Sequence, residues 1–122
     1  MQMKLLIVED NEAMRRMIHA VVADLAEAVI ECSDGSEAVT AYAQGQFSSA
    51  DWVLMDVRMQ ALDGLQATRA LKARWPDARV LIVTSYNDAR LRAEARRAGA
   101  CGYVLKENLL ALRQLLGPSQ AG

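Results

Sequence analysis

Four apolar runs in this chain each end on a short polar signal. Leu5-Leu6-Ile7-Val8 runs into Glu9-Asp10, and Trp52-Val53-Leu54-Met55 into Asp56. Val80-Leu81-Ile82-Val83 runs into Thr84-Ser85, and Tyr103-Val104-Leu105 into Lys106. Short apolar runs separated by helical patterns read as buried parallel strands. In such sheets ligands bind at the carboxyl ends of the strands. The pattern therefore brings three carboxylates, a hydroxyl and an ammonium to one rim.

The intervening segments carry helical spacing. After a first strand at about Lys4 to Val8, Asn11 is suited to cap a helix bearing Met14, Met17, Ile18, Val21, Val22 and Leu25. A weaker second strand, about Val29 to Cys32, ends in the turn cluster Ser33-Asp34-Gly35. Ser36 is expected to cap a helix carrying Val39, Tyr42 and Ala43. Asp63-Gly64 precedes a helix with Leu65, Thr68, Leu71 and Trp75 on one face, which Pro76 stops. Asn87 or Asp88 caps a fourth helix running to about Ala98, where Gly99 fits the C-terminal cap. A fifth strand, about Gly102 to Leu105, leads to a helix with Leu109, Leu110, Leu112, Leu115 and Leu116, ended by Gly117-Pro118. Five alternations of strand and helix predict an α/β fold, an open, doubly wound parallel sheet with helices on both faces.

Composition narrows the function classes. The chain has 122 residues, a one-domain length, and 52% of them are hydrophobic. Fourteen basic against fifteen acidic residues argue against a dedicated nucleic-acid or anionic-membrane surface. No apolar run is long enough to span a bilayer, and no signal peptide precedes the first strand. Cys32 and Cys101 have no metal-ligand spacing. They are expected to be buried reduced thiols in a cytoplasmic protein.

The clustered acids carry the chemistry. Carboxylates crowded together repel unless a cation lies between them. Asp56 with a divalent metal, a lysine and a hydroxyl is equipment for accepting a phosphoryl group. His19 has no partner at ligand spacing and is not expected to bind metal. Arg90, Arg92, Arg96 and Arg97, with Glu94 among them, read as a solvated helix face rather than a phosphate-binding patch.

Glu9-Asp10, Asp56-Val57-Arg58-Met59, Asp63-Gly64, Thr84-Ser85, Gly99-Ala100-Cys101-Gly102-Tyr103 and Lys106 occur in this order, most of them at strand ends. Together they resemble the receiver domain of two-component response regulators, over about Met3 to Leu116. The wording around Ala67-Thr68-Arg69, Pro76-Asp77-Ala78-Arg79-Val80 and Gly102 to Lys106 is most similar to the NarL-type subgroup. The resemblance implies a five-stranded flavodoxin-like (βα)5 fold, strand order 2-1-3-4-5. It implies a receiver over residues 1–117 and a short tail over 118–122, with no DNA-binding output domain in this chain. Its function would be a signalling switch rather than turnover of a released substrate.

By the same resemblance Asp56 is the phosphoacceptor, forming an acyl phosphate. Asp10 would ligate Mg²⁺ directly and Glu9 through a water, with Asp56 and the backbone carbonyl of Arg58 supplying further oxygens. Lys106 would pair with Asp56 and then with the phosphoryl oxygens. Thr84 and Tyr103 would be the switch pair, the hydroxyl moving to the phosphoryl group and the ring turning inward. The phosphodonor histidine would belong to a histidine kinase or phosphotransfer protein. The face of the fourth helix, fifth strand and fifth helix would then control an output partner or domain, and a dimer formed on phosphorylation is compatible with this. Arg58 and Tyr86 lie near the expected path of the attacking water, and neither suits orienting it. Slow self-dephosphorylation is the expectation.

Two positions depart from the family pattern. Gln60 stands where proline is frequent, which predicts a less constrained loop. Lys106 is followed by Glu107 instead of proline, so that bond is expected to be trans. Two rival readings fit less well, and so does a receiver that works unphosphorylated as a docking surface, given the intact reactive set. A haloacid-dehalogenase-type phosphatase expects a second acid where Arg58 stands. A flavodoxin-type flavin module expects a hydroxyl-rich loop where Glu9-Asp10-Asn11 stands.

Overall fold

The computed structural model describes residues 3–58 and 63–117. Five parallel strands form one sheet: β1 (Lys4–Val8), β2 (Ala28–Cys32), β3 (Trp52–Met55), β4 (Val80–Thr84) and β5 (Gly102–Leu105). Their spatial order is β2-β1-β3-β4-β5. Between them run α1 (Glu12–Val22), α2 (Ala38–Gln44), α3 (Gly64–Arg74) and α4 (Ala89–Ala98), and α5 (Ala111–Leu116) follows β5. This is the doubly wound order expected from the sequence.

Strand alternation divides the core into two layers. Leu6, Val8, Val53, Met55, Val80 and Ile82 face the side covered by α2, α3 and α4, with Tyr42, Leu65, Leu71 and Ala95. Leu5, Ile7, Leu54, Leu81 and Val83 face the other side, covered by α1 and α5 through Ile18, Val22, Leu112 and Leu116. The central strands are apolar on both faces because both faces are covered.

Helix caps follow local chemistry. The Asn11 side chain accepts from the Met14 N–H at 2.8 Å. Asp88, rather than Asn87, caps α4 by accepting from Arg90 and Leu91. Gly99 ends α4 at φ 106°, a left-handed conformation that disfavours a side chain. The expectation at Ser36 is corrected. Asp34 caps a short 3₁₀ turn over Gly35–Glu37, accepting from the Ser36 N–H at 2.8 Å, and α2 follows with Glu37 at its N-cap and no side-chain cap. An Asp side chain can reach the second residue after it as well as Ser reaches the third.

Three other expectations change. Trp75 lies just past α3 as its C-cap, its ring tilted against that of Tyr42 with centres 4.6 Å apart. The last helix is shorter than its leucine run, because Lys106–Asn108 form a 3₁₀ turn, and Leu110 and Leu115 are exposed. Cys32 is buried, which pushes its thiol up to about 11, but Cys101 is exposed. Cys101 falls in the turn between α4 and β5, outside the core that its apolar neighbours suggested. The loop around Gln60 and the tail 118–122 lie outside the described residues.

Away from the rim, Asp51 is buried and ties the start of β1 to the turn before β3. It accepts from the Lys4 N–H at 2.7 Å and the Ser48 N–H at 2.8 Å. Asp51→Ala leaves two donors without this acceptor. Equilibrium urea unfolding should show a loss of about 2–3 kcal/mol.

Candidate functional site

The carboxyl ends of β1, β3, β4 and β5 adjoin one another around the point where the strand order reverses. There Glu9, Asp10 and Asp56 come together, each offering a carboxylate oxygen within 4.8 Å of the others. Glu9 and Asp56 are 1% and 5% exposed, whereas Asp10 faces solvent. Thr84 is fully buried at the end of β4.

Lys106 joins the two buried acids. Its Nζ lies 3.1 Å from Asp56 Oδ1 and 2.9 Å from Glu9 Oε1. The pairing with Asp56 matches the sequence expectation, and the contact with Glu9 is additional. The Lys106–Glu107 bond is trans, as expected, since no described peptide bond is cis. The chain leaves β5 by the 3₁₀ turn that begins at Lys106, and this backbone path needs no proline.

The electrostatics follow from burial. Loss of water pushes the Glu9 and Asp56 carboxyls above their ordinary values, and Lys106 pulls both back. Burial alone would lower the Lys106 ammonium. Its close contact with the Glu9 carboxylate and the charge of Asp56 outweigh that, and the net direction is upward. Glu9 Oε1 is buried without a well-directed hydrogen bond, although the ammonium stands beside it. That under-satisfied oxygen, two further carboxylates and an open side at Asp10 fit a hard divalent cation.

The loop after β4 links this cluster to β5. Thr84 Oγ1 accepts from the Tyr86 N–H at 3.3 Å, and the Tyr103 hydroxyl donates to the Tyr86 carbonyl at 2.6 Å. Arg58 lies 4.6 Å from the centre of the Tyr86 ring, and Arg92 lies 4.4 Å from that of Tyr103. The two residues named as kinetic modulators therefore contact each other, a pairing their sequence separation conceals. Arg92 and Tyr103 line two adjoining grooves, one of about 220 Å³ towards Arg96 and Cys101, the other of about 280 Å³ towards Val104, Ala111 and Leu115.

Sequence reasoning named Asp63-Gly64 without a physical cause, and the structure supplies one. Asp63 forms a reciprocal capping box with Gln66 at the start of α3. Gly64 donates its N–H to the Val57 carbonyl at 2.8 Å, and a Cβ there would fall 1.8 Å from the Asp56 carbonyl oxygen. The helix start therefore presses on the backbone that presents Asp56. Gly64→Ala should displace that backbone and cost about 3 kcal/mol or more in urea unfolding. A loss below about 1 kcal/mol would show that the loop yields without strain.

Comparison with known proteins agrees with this geometry. The response regulator receiver domain family matches residues 5–116. A nitrate/nitrite response regulator homolog of Haemophilus influenzae is 35% identical over 87% of this chain and 50% of its own length. The chemotaxis protein CheY of Halobacterium salinarum is 32% identical over 87% of this chain and 86% of its own. The solved receiver domain of a putative NarL from Mycobacterium tuberculosis superposes with a TM-score of 0.81, at 20% identity, covering 98% of both chains. The chain spans about half the length of several curated transcriptional regulators it matches, 55% of one and 44% of another. With the strand order, the rim of acids and the family match in agreement, this chain belongs to the response regulator receiver domains of two-component signalling.

Proposed function

We propose that Asp56 accepts a phosphoryl group from a histidine kinase or phosphotransfer protein, and that the acyl phosphate switches the α4-β5-α5 face. The observation that carries this reading is the Lys106 ammonium held between two buried carboxylates, 3.1 Å from Asp56 and 2.9 Å from Glu9. An ammonium so placed neutralises charge at the atom where a phosphoryl group would arrive.

Asp10 and Asp56, with Glu9 through a water and the Arg58 carbonyl, would hold Mg²⁺. When bound, the cation supplies charge neutralisation for the phosphoryl oxygens. This chain's residues do the rest. An Asp56 carboxylate oxygen forms the new O–P bond as the donor's P–N bond breaks, and the donor imidazole keeps that electron pair. Lys106 stays on Asp56's side of the site and pairs with the phosphoryl oxygens. No residue here acts on a released substrate; the domain promotes its own phosphorylation and dephosphorylation.

The switch follows from the loop contacts. Thr84 Oγ1 now accepts from the Tyr86 N–H. A hydroxyl drawn to the phosphoryl group pulls on that loop. Tyr103 is bonded to the same residue's carbonyl, so the movement reaches β5 and the grooves beside it. Those grooves are where an output partner, an output domain of a longer protein or a second receiver would sense the change.

Incubation with acetyl phosphate and Mg²⁺ should add one phosphoryl mass, lost on alkaline treatment. Asp56→Asn should take none. Equal labelling of that variant, read by intact mass, removes Asp56 as the acceptor.

Decay of the acyl phosphate should be slow for a receiver. Arg58 lies over the Tyr86 ring, 4.6 Å from its centre, and the pair would screen the phosphoryl group from water. Tyr86→Ala with Arg58→Asn should speed decay roughly tenfold, about 1.4 kcal/mol of barrier. An unchanged or slower decay, followed by the loss of phosphorylated protein over time, would mean that the pair does not shield the bond.

A further inference from the structure

We propose that Arg15 is a positioning residue for the acidic turn after β1, setting where the Glu9 and Asp10 carboxylates stand towards the cation; this rests on the metal-site reading above. Arg15 lies about one turn into α1, with its side chain 19% exposed. One guanidinium N–H donates to the Glu9 carbonyl at 2.8 Å. The Nε–H donates to Glu31 Oε1 at 3.1 Å. Glu31, on β2, is held in turn by His19 Nδ1, 2.7 Å from its other oxygen. One planar group thus ties the end of β1, the first turns of α1 and the middle of β2. An arginine fork can make two such bonds in fixed directions, which a lysine cannot.

The tethered carbonyl belongs to the peptide that links Glu9 to Asp10. Rotating that peptide plane changes the Glu9 ψ and the Asp10 φ together, and each carboxylate hangs from a Cα at one end of it. The other bonds in this turn fix Glu9. Its N–H donates to the Cys32 carbonyl at 3.0 Å, and its Oε2 accepts from the Asn11 N–H at 3.1 Å. Arg15 holds the peptide on the Asp10 side. Groups that orient metal ligands commonly change affinity by tenfold or more when removed. Sequence spacing gave no sign of this role, because the link to Glu31 depends on the pairing of β1 with β2.

Titration of the whole chain with Mg²⁺ alone by calorimetry, well below the melting temperature, tests the idea. Arg15→Gln should weaken Mg²⁺ binding about tenfold, and Arg15→Lys should recover only part of it. Glu31→Ala, which frees the guanidinium, should shift affinity in the same direction by a smaller factor. The Arg15→Gln, Glu31→Ala double variant should be no weaker than Arg15→Gln alone, because Glu31 acts through Arg15. A merely structural arginine would lower the metal-free melting temperature and leave Mg²⁺ affinity as in the wild type. That result overturns the proposal while the metal site stands. If Arg15→Gln does not fold, wild-type affinity in Glu31→Ala overturns it instead. Asp10→Asn run in parallel separates the two levels. Absence of wild-type Mg²⁺ binding, or binding indifferent to Asp10→Asn, overturns the metal site and this inference together.

Discussion

Two carboxylates buried side by side repel each other, and the rim of this sheet is arranged around that repulsion. Glu9 and Asp56 have almost no solvent, and burial is the main cost of ionising each, with the charge of Asp56 adding to it at Glu9 and that of Asp10 at Asp56. Lys106 is the one cation in contact with both among the described residues. Its position depends on β5 being the strand beside β4 and on the 3₁₀ turn that carries the chain out of the sheet. The backbone around Asp56 is constrained from two sides. Its N–H donates to the Val8 carbonyl at 2.9 Å, and the start of α3 packs against its carbonyl through Gly64. The charge is retained at a cost to stability, as at sites held for chemistry.

Much of this was legible in the sequence. β1 and β4 read directly because they are apolar on both faces and end on polar residues with a task. The acids, Thr84 and Lys106 read as one set because a parallel sheet brings all its carboxyl ends to one edge. What escaped the sequence depended on particular three-dimensional contacts. Asp34 and Ser36 both have capping chemistry, and only the backbone path decides between them. Cys101 sits among small apolar residues and still faces solvent, because the turn after Gly99 carries it outward. The leucine run after Lys106 suggested one continuous helix, but the turn that delivers Lys106 to Asp56 uses up its first residues. Gly64 was named in the sequence without a physical cause, and its reason is a carbonyl eight positions earlier in the chain. Residues that act through the main chain of a distant neighbour leave no periodic trace.

The formal charges at the rim give the proposed switch a physical basis. Three carboxylates and one ammonium leave two negative charges uncompensated. A divalent cation at the proposed site would bring that sum to zero. Phosphorylation at the proposed acceptor would exchange the single charge of Asp56 for about two on the phosphoryl group. The excess would then have to be met by donors engaged elsewhere. Lys106 is already committed to Glu9 and Asp56. Thr84 stands fully buried at the neighbouring strand end with a hydroxyl proton to give. Its present link to the Tyr86 N–H is long, at 3.3 Å, and uses the oxygen as acceptor, so turning the O–H towards new negative charge sacrifices little. The Tyr86 carbonyl is bonded to Tyr103, which Arg92 covers from α4. On the proposed reading, one extra negative charge at Asp56 would draw on a loop whose other end is fixed to the surface between α4 and α5. A change in shape at that surface would then follow from balancing charge beside two buried carboxylates.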